Sequence, residues 1–231
     1  MIFQDPMTSL NPYLKIKTQL MEVLTNTYSI TKKDATNKII EMLNMVGIAE
    51  PESRLNSYPH QISGGMRQRV MIAMALLSNP KLLIADEPTT ALDVTIQSQI
   101  LNLLAKLKEK FKLSIVLVTH DLGVVANLCD RVAIFYGGKV VEVGDVFTIF
   151  NYPCHPYTQA LLKSIPRVDK ERKEKLSIIP GTPKVWKEEP KLCVFKDRCV
   201  KKITQCEKIA PKLLKSNNGN QVSCLLEGNY E

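Results

Sequence analysis

The sequence predicts an α/β fold: a parallel sheet with a helical subdomain beside it, and a small, irregular, cysteine-containing C-terminal extension. Three observations carry this. Leu82 to Ala85 and Ser114 to Thr119 are short, nearly all-apolar runs that read as strands buried on both faces, as in parallel sheets. A helix-patterned stretch separates them, which is the alternation of a βαβ unit. After about residue 150 the pattern gives way to Pro, charged residues and cysteines, which places a boundary near 152 and domains at 1–152 and 153–231.

The elements follow in order. Ile2 and Phe3 read as the end of a buried strand, with Gln4, Asp5 and Pro6 in a loop. Tyr13 to Tyr28 has helical spacing through Leu14, Ile16, Leu20, Val23 and Leu24. Thr31, with Asp34 three residues on, caps a second helix carrying Ala35, Ile39, Leu43 and Val46 and stopping at Gly47. These helices, with the one that follows, make a helical subdomain over about 13–80. Ser63-Gly64-Gly65 opens the next helix, which runs to Leu77 before Asn79-Pro80. A Ser-Gly-Gly turn at a helix N-terminus exposes backbone N–H groups at the positive dipole end, where an anion can sit. A plain N-cap satisfies the same pattern.

Asp86 and Glu87 fall at the carboxyl end of the first strand, the edge where open α/β sheets place ligands. There one carboxylate can hold Mg²⁺ while the other orients or deprotonates a water. A helix from about Asp93 to Phe111 carries Ile96, Ile100, Leu103, Leu104 and Leu107. The second strand ends at His120, on the same edge. Arg131 to Tyr136 and Lys139 to Val143 form a hairpin through Gly137-Gly138, and a short helix from Tyr157 to Ser164 follows His155-Pro156.

The chain has 231 residues, 45% hydrophobic, with a formal net charge of +8. No run approaches the ~20 apolar residues of a membrane span, and the N-terminal residues lack a signal-peptide pattern; the expected location is cytoplasmic. No basic run has interleaved aromatics, so the charge reads as a lysine-rich solvated surface, not a nucleic-acid interface. Cys193, Cys199, Cys206 and Cys224 form C-x5-C-x6-C-x17-C. Four thiols in a cytosolic tail favour a metal over disulfides. The spacing is wider than zinc pairs and unlike the common ferredoxin patterns, leaving zinc, iron–sulfur and unliganded thiols open.

Together these motifs resemble the ATP-binding subunits of ABC transporters. Ser63-Gly64-Gly65-Met66-Arg67-Gln68 resembles the signature, Leu82 to Glu87 the Walker B strand, Thr90-Ala91-Leu92-Asp93 the D-loop, His120 the switch histidine and Gln4 the Q-loop glutamine. Tyr58-Pro59-His60-Gln61 and His155-Pro156-Tyr157 are similar to the oligopeptide/dipeptide importer group, which includes nickel importers. The resemblance implies Glu87 as general base, His120 at the γ-phosphate, Asp86 holding Mg²⁺ through a water, and Gln4 sensing Mg²⁺ and the membrane subunit. It implies that Ser63, Gly64 and Gly65, with Asp93 of the D-loop, serve ATP held across a dimer with a second ATP-binding subunit. Transmembrane permease subunits, and indirectly an extracellular solute-binding protein, would be the other partners, at the cytoplasmic face of the membrane. For the tail, Cys193-Val194-Phe195-Lys196-Asp197-Arg198-Cys199 resembles the group's C-x-F-x-x-R-C pattern, which implies a [4Fe–4S] cluster on Cys193, Cys199, Cys206 and Cys224.

No G-x-x-x-x-G-K-[ST] phosphate loop occurs in the 231 residues. The expectation is an incomplete, N-terminally truncated P-loop ATPase domain, inactive alone and poorly soluble because part of its sheet is uncovered. Two alternatives remain: a non-catalytic remnant or partner supplying only the signature turn, and a soluble ATPase acting on DNA or ribosomes. The long coiled coil or tandem cassettes of the latter are absent from this sequence.

Overall fold

A computed structural model describes residues 1–5, 9–90, 92–165, 178–184, 186, 188 and 190–228. Pro6, Ala91 of the D-loop-like stretch and most of the charged run up to Lys175 lie outside these. The chain divides into two compact units, Met1–Val124 and Val125–Glu231.

The first unit begins with three helices that pack pairwise: α1 (Ile16–Thr27), α2 (Lys32–Met45) and, after the short α3 (Pro51–Arg54), α4 (Gly64–Leu77). Their apolar stripes meet in one core, where Leu20, Leu24, Ile39, Leu43, Ile72 and Ala73 are fully buried. Each such Leu or Ile contributes about 1.5–3 kcal/mol of burial. Tyr13 and Leu14, read from spacing as helical, precede α1 and are exposed. Thr31 caps α2 as expected: its hydroxyl accepts from the Asp34 N–H at 3.2 Å and donates to the Asp34 carboxylate at 2.7 Å. Buried Gln19 binds the backbone of Asn11 and Leu14 and thereby fixes the loop into α1.

β1 (Leu82–Asp86) and β2 (Ser114–Val118) are parallel and in register from Leu82↔Ser114 to Asp86↔Val118. The crossover helix α5 (Val94–Phe111) buries Ile100, Leu104 and Leu107. Ile2 extends the sheet on the other side of β1 through a parallel bridge to Ala85. The expectation of strands buried on both faces fails for one face. Leu83 and Ala85 are buried, but Leu82 and Ile84 are exposed, as are Val116 and Val118 on β2 and Met1 and Phe3 beside Ile2. The helices of this unit that join the core lie on the Leu83–Ala85 side, so the alternate side chains face water.

The second unit contains a four-stranded antiparallel sheet in the order β3 (Arg131–Tyr136), β4 (Lys139–Asp145), β6 (Gln221–Val222), β5 (Leu214–Lys215). Gly137 and Gly138 make the β3–β4 turn at φ 55° and 79°, angles that a side chain would strain. Helix α6 (Leu122–Leu128) leads into this unit, and α7 (Val146–Asn151) and α8 (Pro156–Lys163) follow its hairpin. Because β4 pairs with β6, this unit starts well before the change of sequence pattern near 152. No helix among the described residues is long and apolar enough to cross a membrane.

Candidate active site

Three of the polar side chains singled out in the first unit converge at the carboxyl edge of its parallel sheet. The backbone explains how. The β1–β2 register carries Asp86 to the level of Val118, and the Glu87 N–H still donates to the Val118 carbonyl at 2.8 Å. Gln4 comes to the same edge because the Ile2 N–H donates to Ile84 and the Asp86 N–H donates to Ile2. At Glu87 the chain enters the left-handed region, φ 43°, and turns sharply at Pro88. A non-glycine residue there is strained, and such strain persists only where the surroundings hold it.

The Glu87 carboxylate is the centre of the group. Oε2 accepts from Thr90 Oγ1 at 2.6 Å and from Gln4 Nε2 at 3.3 Å; Oε1 lies 2.9 Å from His120 Nδ1. These donors hold its pKa below the usual carboxylate range, Thr90 most and His120 next. Glu87 in turn raises the pKa of His120, through the hydrogen bond first and the charge second. The pair is therefore a carboxylate acceptor facing a ring nitrogen that carries the proton. Asp86, half-buried, makes no ion pair among the described residues. Asp86 and Glu87 are consecutive carboxylates at the sheet edge, and an oxygen donor set of this kind fits a hydrated divalent cation such as Mg²⁺.

Ser63 Oγ caps α4, accepting from the Met66 N–H at 3.2 Å, and leaves Gly64 and Gly65 in the first turn, where no intrahelical acceptor reaches their N–H groups. A Cβ on Gly65 would stand 2.9 Å from Ile96 Cγ2, so only glycine lets the turn lie this close to α5. Asp93 caps α5, accepting from the Ile96 N–H at 3.0 Å. Ser63 and Asp93 are thus both helix caps at exposed positions.

In the second unit, burial raises the pKa of Cys193 and Cys199 and pushes Cys224 up to about 11, and neighbouring thiols contribute to each shift. Cys193 and Cys206 are buried in an apolar cluster with Phe195, and Cys199 packs against it. No sulfur is in a disulfide. Among the described residues no group of three or more His, Cys, Asp or Glu is gathered so as to hold a metal ion. In this arrangement the thiols pack as small apolar groups and do not fit ligation.

Sequence reasoning missed several residues that matter. Thr90 was placed only within the D-loop resemblance. Gln68, 1% exposed, donates to the Pro88 carbonyl at 2.6 Å and so braces the strained turn after Glu87. Glu142, fully buried, accepts from the Cys154 N–H (2.7 Å), the His155 N–H (2.9 Å) and Asn220 Nδ2 (3.0 Å). A charged residue inside the valine run of β4 was the available signal. His155 is held as a structural clamp: Nδ1 accepts from the Tyr157 N–H at 3.0 Å, the ring also bonds to the Ser223 backbone, and burial lowers its pKa to about 4. Arg198 donates to Pro180, Ile179 and the Tyr136 hydroxyl, beside the ring cluster of Tyr136, Tyr157 and Phe195.

Comparison with known proteins agrees with this arrangement. The ABC transporter family matches residues 1–90, and the oligopeptide/dipeptide transporter C-terminal region matches residues 141–206. The oligopeptide transport ATP-binding protein OppD of Haemophilus influenzae is 53% identical over 226 residues, which are 98% of this chain and 69% of that protein. OppD of Bacillus subtilis is 59% identical over 183 residues, 79% of this chain and 51% of the relative. The dipeptide transport ATP-binding protein DppD of Bacillus subtilis is 49% identical over 98% of this chain and 68% of its own length. The chain thus spans between about half and 69% of these relatives. The dimeric ATP-binding cassette MJ0796, solved in a post-hydrolysis state with ADP and Pi, matches 63% of this chain and 61% of its own, at 33% identity and a TM-score of 0.55. With a cassette-like α/β fold in its first unit, the Glu87 constellation and relatives at this identity, the chain belongs to the oligopeptide/dipeptide group of ABC transporter ATP-binding proteins.

Proposed function

We propose that the chain acts as the nucleotide-driven subunit of a peptide importer, peripheral at the cytoplasmic face of the cell membrane. The observation that supports this most is the convergence of Gln4, Thr90 and His120 on the Glu87 carboxylate at the sheet's carboxyl edge. A carboxylate held ionised and aimed by three donors suits a general base toward water. His120, protonated on Nδ1 by its contact with Glu87, leaves its other ring nitrogen for the γ-phosphate. Asp86 and Gln4 would hold Mg²⁺. When bound, ATP with Mg²⁺ supplies the transferable phosphoryl group and the charge neutralisation that phosphoryl transfer needs. Oligopeptide and dipeptide transport, named for the relatives, gives peptides as the substrate class.

The chain carries parts of two sites. Its own has Gln4, Asp86, Glu87 and His120. The Ser63-Gly64-Gly65 turn, with Asp93, would face ATP on a second ATP-binding subunit, both being docked on permease subunits fed by a solute-binding protein. With no phosphate-loop lysine in the 231 residues, the chain alone hydrolyses no ATP above background, yet completes a site in trans. The experiment mixes the purified chain with a full-length OppD relative whose own signature serine is replaced. Restored hydrolysis supports the reading, and Ser63→Arg should abolish the restoration. Saturable hydrolysis by the 231-residue chain alone refutes the first half, and dimer formation without restored hydrolysis refutes the second.

For the tail, Cys193, Cys199, Cys206 and Cys224 are the thiols that a [4Fe–4S] cluster would use. What supports the assignment is the C-x-F-x-x-R-C match at Cys193 to Cys199 alone; the thiols are not gathered to hold a metal in the packing described above, so a cluster requires them to move. Anaerobic purification with visible absorption and iron and zinc analysis tests it, and a colourless protein with four titratable tail thiols refutes it.

A further inference from the structure

The two partial sites are not independent in this fold. The signature turn opens α4, and the Glu87 turn follows β1, with Gln68 and Pro88 separated by 20 positions in sequence. Gln68 sits just over one helical turn into α4, is 1% exposed, and donates its side-chain amide to the buried Pro88 carbonyl at 2.6 Å. This is the peptide next to the strained Glu87, φ 43°. The same two segments touch a second way. A Cβ on Gly64 would stand 3.9 Å from Leu92 and one on Gly65 2.9 Å from Ile96, so the turn rests against Leu92 and the first turn of α5. On its other side, Arg69 holds α4 to the Val46 carbonyl at the end of α2 and to Gln99 of α5.

We propose that Gln68 is a positioning residue: its bond to Pro88 makes the partner-facing signature turn and the Glu87 turn one mechanical body. Engagement of a phosphate at Ser63-Gly64-Gly65 is then transmitted to the carboxylate of the chain's own site without passing through solvent. The functional meaning rests on the two-site reading above, but the link itself is a property of the fold.

A buried carbonyl that loses its donor takes up water or moves, and here movement relaxes the left-handed residue before it. The test uses the full 231-residue chain without nucleotide. Amide hydrogen exchange and the His120 ring nitrogen signals at fixed pH are compared in wild type, Gln68→Leu and Val70→Ala. Val70 is a packing control, buried on the same helix. In Gln68→Leu, exchange should rise about ten-fold at both 63–67 and 87–93 while the α1–α2 core is unchanged, and the His120 signal should shift because Glu87 moves. Val70→Ala should raise exchange broadly and leave the His120 signal in place. A uniform rise in Gln68→Leu, or a silent 87–93 segment or His120 signal, overturns the proposal. If Gln68→Leu does not fold, the wild-type Gln68 side-chain N–H protons decide: exchange slower than those of exposed Gln61 supports the link, and equal exchange refutes it. Neither result bears on whether the chain completes a partner's site, so the two readings fail separately.

Discussion

Replacing Glu142 by Gln should destabilise the second unit selectively. All three groups facing the carboxylate are N–H donors: Cys154 and Asn220 on Oε1, His155 on Oε2. An ionised carboxylate, which only accepts, satisfies all three. Glutamine keeps one acceptor. Its best placement leaves the oxygen with Cys154 and Asn220 and turns the NH₂ group on the His155 N–H, donor against donor. Losing one charge-assisted bond and stranding a buried donor costs about 2–3 kcal/mol. The opposing effect is relief from burying a charge; with three donors already solvating the anion it is the smaller one. The only Trp, Trp186, lies in this unit, against the Gly137 turn, and reports on it alone. For a unit of this size urea slopes are about 1–3 kcal/mol per M, so the Trp186 fluorescence midpoint should fall by about 1–2 M. A midpoint unchanged or raised in Glu142→Gln would show that charge burial outweighs the hydrogen bonds and refute the reasoning.

The same fluorescence assay should depend on pH through His155. Its folded pKa, about 4, lies below the unfolded value of 6.5, so the unfolded state binds more protons between the two. Stability from this group is full above pH 6.5 and is lost as pH falls to 4, a decline of roughly 3 kcal/mol; a midpoint flat over that window in wild type would contradict the buried, neutral ring. Glu87→Gln should lower the His120 pKa, since the Glu87 bond and charge are what raise it; an unmoved NMR titration would mean the contact does not form in solution. Alkylation of Cys224 at pH 8 should run about 100-fold slower than that of a free thiol, because its pKa of about 11 leaves little thiolate. Peptide mapping after partial labelling that finds Cys224 among the fastest sites would refute its burial.

The helices and the parallel pair were legible because periodicity and turn residues report them directly. Thr31, Ser63 and Gly137-Gly138 each sit where local chemistry alone requires them. Glu87 and His120 were legible as a pair only through a shared sheet edge, and the strand register turns that shared edge into a contact of 2.9 Å. The exposed face of the parallel pair was not legible, because which alternate side chains are covered follows from the side that α5 and the other helices occupy. The bonds of Gln68 and Glu142 were not legible. Each is a polar residue whose partner is backbone 12 or more residues away, and nothing local marks such a partner. The thiols of the tail show the opposite error: spacing brings four of them to notice, while burial packs them as apolar groups.

The closure of β4 by β6 also sets when this unit can exist during synthesis. Glu142 and Val143 pair with Val222 and Gln221, and Glu142 also holds Asn220. The recognisable family segment ends at residue 206, before any of these partners. A ribosome that has released residues 141–206 has therefore released a buried carboxylate with one of its three donors still unmade, and a hairpin with an open edge. Such an edge is where nascent chains pair wrongly. The unit becomes self-contained only when the last strand emerges, which makes it dependent on a late contact of long sequence separation and slow to form. A nascent chain stalled short of Gln221 should remain protease-sensitive throughout the tail, and one extended past Val222 should become resistant in a single step.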